Sequence, residues 1–461
     1  MNPSILTSKA KARKKPRGFI SASNLVLIAY STAFFPRVLL LIKFPSLINF
    51  LHFAAVPFVC FIVLLKAKSK DRAQIADSQI LLGSLFFLLT VFFASALLND
   101  VGVINVLLSY LMWTEPFLLL LAIIAIPMSP KVLTQFQKWV LGFAFFNVGF
   151  ALIQKFVLRW DTCYCAPGGW ADGDAIKGVF INQGAGHVLN GSVSATIGVY
   201  FFVVAKDRPF WMRALVAIAG VSNIQWSQAN QVLLVMMLAF VVLALTKVKD
   251  PIKAVSYLIG ITVFSYIFYW AIYNVEALWT FQTWIRPDLY GPDGEAARLK
   301  FSGIRIIVEH FHSPLNWLLG LGPGHTIDRL GGWMLRDFSS LLSPLGSTQS
   351  PVSEAVWAFM NSSWLGTGGS TLFSPFWGWA GMWGDVGFVG LGAYLLVCFI
   401  TWQRICRDVL SKYLMLTVAI NGFIFTQMQE PGFMLFIASL IGLRWQEVRI
   451  DRLLAKHDIS G

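Results

Sequence analysis

The residues in this sequence that could bind an anion or move a proton are concentrated in three short stretches. In Glu295 to Phe311, Arg298, Ser302, Arg305 and Glu309 recur at i, i+4, i+7 and i+11 and so share one face of a predicted amphipathic helix. Leu299, Ile304, Ile306, Ile307 and Val308 fill the rest of it. Two guanidiniums on one stripe can grip a phosphate or diphosphate through forked hydrogen bonds. The plainer reading pairs those arginines with Glu295 and Glu309 or with lipid headgroups. A turn follows in which Gly320, Gly322 and Gly324 alternate ahead of His325. The turn lacks the strand, helix and lysine of a nucleotide-binding loop. His325 is a candidate general base, although a loop histidine is often just a polar residue. The second stretch, Lys177 to His187, holds Asn182 and suits either helix capping or a hydroxyl-rich ligand. In the third, Asp385 sits just ahead of Gly387 and Gly390, small residues that favour close helix packing.

Composition says what must position these groups. Of the 461 residues, 56% are hydrophobic and 13% charged, about half the charged fraction of a soluble domain. With 15% aromatics, this excludes a soluble enzyme and predicts an all-α integral membrane protein. A net charge of +13 is then an orientation signal, with no nucleic acid implied. At roughly 20 apolar residues per crossing, twelve spans are expected: 22–36, 46–65, 80–98, 104–127, 138–157, 186–205, 211–226, 230–246, 252–273, 378–402, 413–427 and 432–444. With both ends cytoplasmic, the inner segments carry most of the 36 Lys and Arg, and the acidic residues fall mostly outside. Five parts result: a basic cytoplasmic tail (1–21), nine spans (22–273), an extracytoplasmic cap loop (274–377), three spans (378–444) and a second cytoplasmic tail (445–461). The cap is rich in tryptophan, including Trp317, Trp333 and Trp357, and so is expected to fold. Cys60, Cys398 and Cys406 read as small buried hydrophobes, whereas Cys163 and Cys165 lie in a polar segment where a disulfide could form. No metal set is apparent.

Together these stretches resemble the O-antigen polymerase and O-antigen ligase family of bacterial membrane glycosyltransferases. The matching residues are Gly178, Phe180 and Asn182; Arg298 with Pro314, Leu315, Gly320 and Gly322; and Asp385 with Gly387 and Gly390. Two departures stand out. Trp226-Ser227-Gln228-Ala229-Asn230-Gln231 occupies the place of a Ser-Arg pair, and Phe376-Trp377 that of a ligase-type His-Asn pair.

The resemblance implies a twelve-span, GT-C-like fold in the bacterial inner membrane and transfer of a glycan from a polyprenyl diphosphate at its outer leaflet. An acceptor hydroxyl would displace the diphosphate, with cations stabilising the leaving group and no metal or cofactor required. On that basis Arg298 and Arg305 would cradle the diphosphate, with Arg329 or Arg336 assisting, and His325 or Asp385 would accept the proton. Asn182, Gln228, Asn230 and Trp317 would contact substrate. The implied partners are the lipid-linked glycan, membrane lipid, a flippase and a chain-length regulator. Polymerisation of lipid-linked repeat units is the leading expectation. The alternatives are ligase-type transfer to another acceptor and solute transport, since twelve spans is also a transporter plan.

Overall fold

The computed structural model describes residues 20–167, 172–181, 184–246, 251–291, 294–367 and 372–460. These are 80% helical, with no strand among the described residues. The longer helices are α1 (Ala22–Phe34), α2 (Leu51–Lys66), α3 (Arg72–Leu98), α4 (Val103–Ala125), α5 (Pro130–Leu152), α6 (Gly186–Val204) and α7 (Phe210–Trp226). They continue with α8 (Asn230–Thr246), α9 (Pro251–Asn274), α10 (Glu295–Glu309), α11 (Pro351–Ser362), α12 (Gly378–Ile400), α13 (Val409–Ile424) and α14 (Pro431–Ser460). Among the described residues, six helical stretches, built on α2 to α6 and α12, are long and apolar enough to cross a membrane. A seventh arises if α1 is joined to Pro36–Ile42 across a 56° bend. α4 is the most enclosed of them, packed against α2, α3 and α14.

Helix starts depart from the apolar runs where a cap decides them. α3 begins at Arg72 rather than near residue 80 because Asp71 accepts the Ala73 N–H (3.1 Å). α5 begins at Pro130, behind a Ser129 cap and with proline in the first turn, where it is tolerated. α14 runs through 445–460, expected as a tail, because its polar end is anchored: Arg444 pairs with Asp408 (2.7 Å), and Arg449 and Arg452 pair with Asp71 (3.4 and 2.8 Å).

The segment 274–377 packs onto α12. Ile306, Ile307, Leu321 and Ile327 share one core with Val352, Val356, Phe376, Trp377, Ala380 and Trp383. The joint is a reciprocal break. α12 is interrupted at Gly387 (φ 65°, ψ −167°), and the turn at Gly320 (φ 71°) crosses it backbone to backbone. Leu321 N–H donates to Gly384 O (2.8 Å) and Gly322 N–H to Asp385 O (2.9 Å), while Ser95 Oγ on α3 lies within hydrogen-bond reach of Leu319 O (2.5 Å) and Asp385 O (2.9 Å). Carbonyls freed by the break are thus bonded again inside protein, as an apolar surround requires.

A Cβ on Gly320 would stand 2.4 Å from the Asp385 carbonyl, and one on Gly387 2.2 Å from that of Leu318. Gly83, in mid-α3, has open space around the same position. Gly320→Ala and Gly387→Ala are therefore expected to destabilise by about 2 kcal/mol or more, and Gly83→Ala to be neutral or slightly stabilising. Thermal melts of detergent-purified protein read the contrast, and equal melts for all three would contradict this crossing.

Candidate functional site

A cavity of about 470 Å3 lies where interrupted helices meet the 274–377 segment. Its charged lining is Arg37, Arg329, Arg336, Glu115, Asp337 and Glu430, with His52 beside them. Prolines explain why polar groups gather here. Pro36 follows the end of α1 at the 56° bend, leaving Arg37 beyond the helix and in the wall. Pro57 inside α2 and Pro116 inside α4 each lack the N–H that would bond the carbonyl four residues back. Those carbonyls belong to Phe53 and Met112, and both residues line the cavity. The starts of α6 and α14 contribute Ala185 and Pro431, so two helix N-termini, with their partial positive charge, lie at the wall.

Glu115 lies twelve residues into α4, about 18 Å along it at 1.5 Å per residue. Its carboxylate meets His52 Nδ1 at 2.8 and 3.0 Å, and both residues are buried. Also in the lining, Arg329 pairs with Glu430, its backbone N–H donates to Gln429 Oε1 (2.8 Å), and its guanidinium reaches Gln429 O (3.2 Å). Arg37 faces both Glu430 and Arg329. Behind them Gln429 Nε2 donates to Asp328 (3.0 Å), which also accepts from Gly331 N–H (2.8 Å). Burial raises the Asp328 carboxyl above the ordinary carboxylate range, and the hydrogen bond it shares with Asp385 works against that rise. Asn49 Oδ1, also in the wall, is buried with no protein partner among the described residues. Trp333 and Trp357 close the sides; Trp333 stacks on Phe425, and Arg336 lies over Trp357 at 4.5 Å.

The expected site residues divide around this cavity. Arg329 and Arg336 line it. Arg298 and Arg305 do not: they are 62% and 61% exposed and pair within their own helix with Glu295 (3.8 Å) and Glu309 (3.7 Å). Ser302, expected on their stripe, turns inward with Leu299 and Ile306. The inward cation of α10 is Lys300, which donates to the carbonyls of Leu372, Ser374 and Ile424 and lies over Trp377; burial pulls it down to about 7.

His325 is held at both ring nitrogens, by Leu321 O (3.0 Å) and Thr348 Oγ1 (2.8 Å), and burial lowers its pKa. Asp385 is wholly buried and accepts from Gly324 N–H (2.6 Å), Thr326 N–H (3.0 Å) and the Thr326 hydroxyl (2.6 Å), which makes it the clasp of the glycine turn. Trp317 packs with Phe311, Trp383 and Phe388 away from the cavity. Gln228 (φ 50°) and Asn230 form the corner between α7 and α8, also away from it. Asn182 lies outside the described residues. Cys163 and Cys165 are joined as a disulfide, while Cys60 and Cys406 are buried.

The residues that sequence reasoning missed are His52, Glu115 and Arg37. Each carried a signal: a polar or ionisable side chain within or beside an apolar span, close to a proline.

The fold is that of an all-α membrane protein, with a charged cavity among its helix breaks. No protein-family model and no curated protein sequence matches the chain.

Burial separates the two kinds of ion pair. Glu430→Gln leaves cations facing a side chain without charge inside the protein and is expected to cost about 3 kcal/mol or more. Arg298→Ala, on the exposed face, should cost under about 1 kcal/mol. Thermal unfolding of the purified variants checks both; a Glu430→Gln melt as mild as that of Arg298→Ala would contradict the buried network.

Proposed function

We propose that the chain is an extracytoplasmic glycosyltransferase that polymerises oligosaccharide repeat units carried on a polyprenyl diphosphate. The observation that carries this reading is the cavity wall that holds Arg37 and the Arg329–Glu430 pair, with Glu430 acting on both guanidiniums, and two helix N-termini in the same lining. Positive helix ends and forked guanidiniums both suit a diphosphate. A volume of about 470 Å3 accommodates a headgroup with an attached sugar. Arg336 and the indoles of Trp333 and Trp357 stand beside it as contacts for sugar. In a twelve-span arrangement with both ends cytoplasmic, the helix ends that form the cavity belong to the outer face, where lipid-linked glycans are presented. The Lys- and Arg-rich loops then lie on the other side.

In the proposed reaction Arg37 and Arg329 hold the diphosphate while an acceptor hydroxyl attacks the anomeric carbon, and the carbon–oxygen bond to diphosphate breaks. Charge grows on the leaving oxygens, and the two guanidiniums stabilise it where little water competes. Arg298 and Arg305 have no part in this step. Ligase-type transfer would use the same chemistry with a different acceptor. Solute transport is the second reading, and the buried His52–Glu115 pair favours it, because ionisable pairs within membrane helices also serve proton coupling.

Deleting the gene and profiling both surface glycan and lipid-linked precursors distinguishes the three. Single lipid-linked repeats should accumulate; full-length unattached chains would indicate a ligase, and intact glycan with altered solute uptake a transporter. Arg37→Gln and Arg329→Gln are expected to lower polymer formation by about 100-fold or more, with Arg298→Ala and Arg305→Ala close to wild type. Normal chain lengths in the first pair, at wild-type protein levels, would contradict the proposal.

A further inference from the structure

We infer that His52 is the general base that takes the proton from the acceptor hydroxyl, with Glu115 as the residue that positions it. The inference rests on the glycosyl transfer proposed above. It begins from an asymmetry in the imidazole. Nδ1 is committed to the Glu115 carboxylate at 2.8 Å, while Nε2 has no hydrogen-bond partner among the described residues, although His52 lines the cavity. A carboxylate on Nδ1 fixes the tautomer that carries its proton there. The Nε2 lone pair is then left to accept another proton, and the carboxylate stabilises the imidazolium that results.

The other candidates for the base do not have this geometry. His325 is bonded at both nitrogens, and Asp385 is spent on the glycine turn. Of the cavity carboxylates, Glu430 pairs with Arg329 and Asp337 with Arg336. Among the charged groups on the elements around the cavity, Arg37, Arg329, Arg336, Asp337 and Glu430, none lies within ion-pair distance of His52, and Glu115 alone pairs with it. The dyad is also rigidly built. His52 is the second residue of α2, Glu115 sits in the enclosed α4, and α2 packs against α4.

The step balances without a further reactant. The acceptor O–H proton passes to His52 Nε2 as its oxygen forms the bond to the anomeric carbon. The bonding pair of the carbon–oxygen bond leaves on the diphosphate oxygen, giving a polyprenyl diphosphate and a glycan longer by one unit. His52 then returns its proton to solvent.

The test uses the full-length protein in detergent with lipid-linked repeat units extracted from the deletion strain. It separates donor binding from turnover. His52→Gln should keep the KM for donor within about twofold and lower kcat by about 100-fold or more. Glu115→Gln should lower kcat with KM unchanged, and Glu115→Asp should regain a good part of it, which a loss of fold would not do. Elution of each variant as wild type on size exclusion confirms folding, with His52→Asn as a second substitution should His52→Gln aggregate. Turnover at the wild-type rate in the His52 variants, or a loss confined to KM, would overturn the inference and leave the glycosyltransferase reading intact. Failure of the wild-type protein itself to extend these substrates would overturn the parent reading instead.

Discussion

Everything in this structure depends on one constraint: a backbone N–H or carbonyl freed inside an apolar surround must find another partner in the protein. Unbroken helices satisfy it automatically, as α3 does over 27 residues. The informative places are the breaks at Pro36, Gly387 and the turn Phe425 to Glu430, together with Pro57 and Pro116, which each leave one carbonyl without its donor inside a continuous helix. At Gly387 the freed carbonyls are taken up by the crossing Gly320 turn and by Ser95. The bend at Pro36 and the residues whose carbonyls lose a donor to Pro57 and Pro116 instead border a cavity with charged walls. The same physics thus produces a tight joint in one region and an open polar site in another. The difference is whether glycine permits backbone to approach backbone, or proline withholds the donor.

Charge follows the same division. Arg329, Glu430, Gln429 and Asp328 form one buried chain behind the cavity, ending at Asp385 and the glycine turn. The clasp and the cavity are therefore parts of one network. Asp385 holds Gly324 and Thr326 in place, and Arg329 follows that turn in the chain. The exposed arginines of α10 have no such chain behind them.

Much of the helical layout was legible in the sequence, since a helix occupies most of each of the twelve expected ranges, although among the described residues six or seven are long and apolar enough to cross a membrane. Apolar runs report burial in lipid or core directly, and so α2, α4 and α6 fall within a few residues of expectation, apart from the short 3-10 lead-in to α2. Errors came where polar residues decide: at the Asp71 and Ser129 caps, and along the anchored end of α14. The site was legible only in part. Periodicity along α10 placed Arg298 and Arg305 on one stripe correctly, yet whether that stripe faces inward depends on Leu299, Ile306 and Ile307 competing for the core. Those three won, and the stripe faces out. His52 and Glu115 are 63 residues apart, and Arg329 and Glu430 are 101 apart. No local pattern links either pair, so their convergence follows only from the packing of α2 on α4 and of the turn before α14 on the 274–377 segment. What the sequence did hold was the anomaly of Glu115 before Pro116 in an otherwise apolar helix.

The most direct test of the central claim is a structure of the protein with a polyprenyl diphosphate bound, determined by electron cryomicroscopy in lipid nanodiscs. The account predicts diphosphate density between Arg37 and Arg329, with His52 facing the first sugar position. Density on the Arg298 and Arg305 face of α10, with the cavity holding only water, would contradict it.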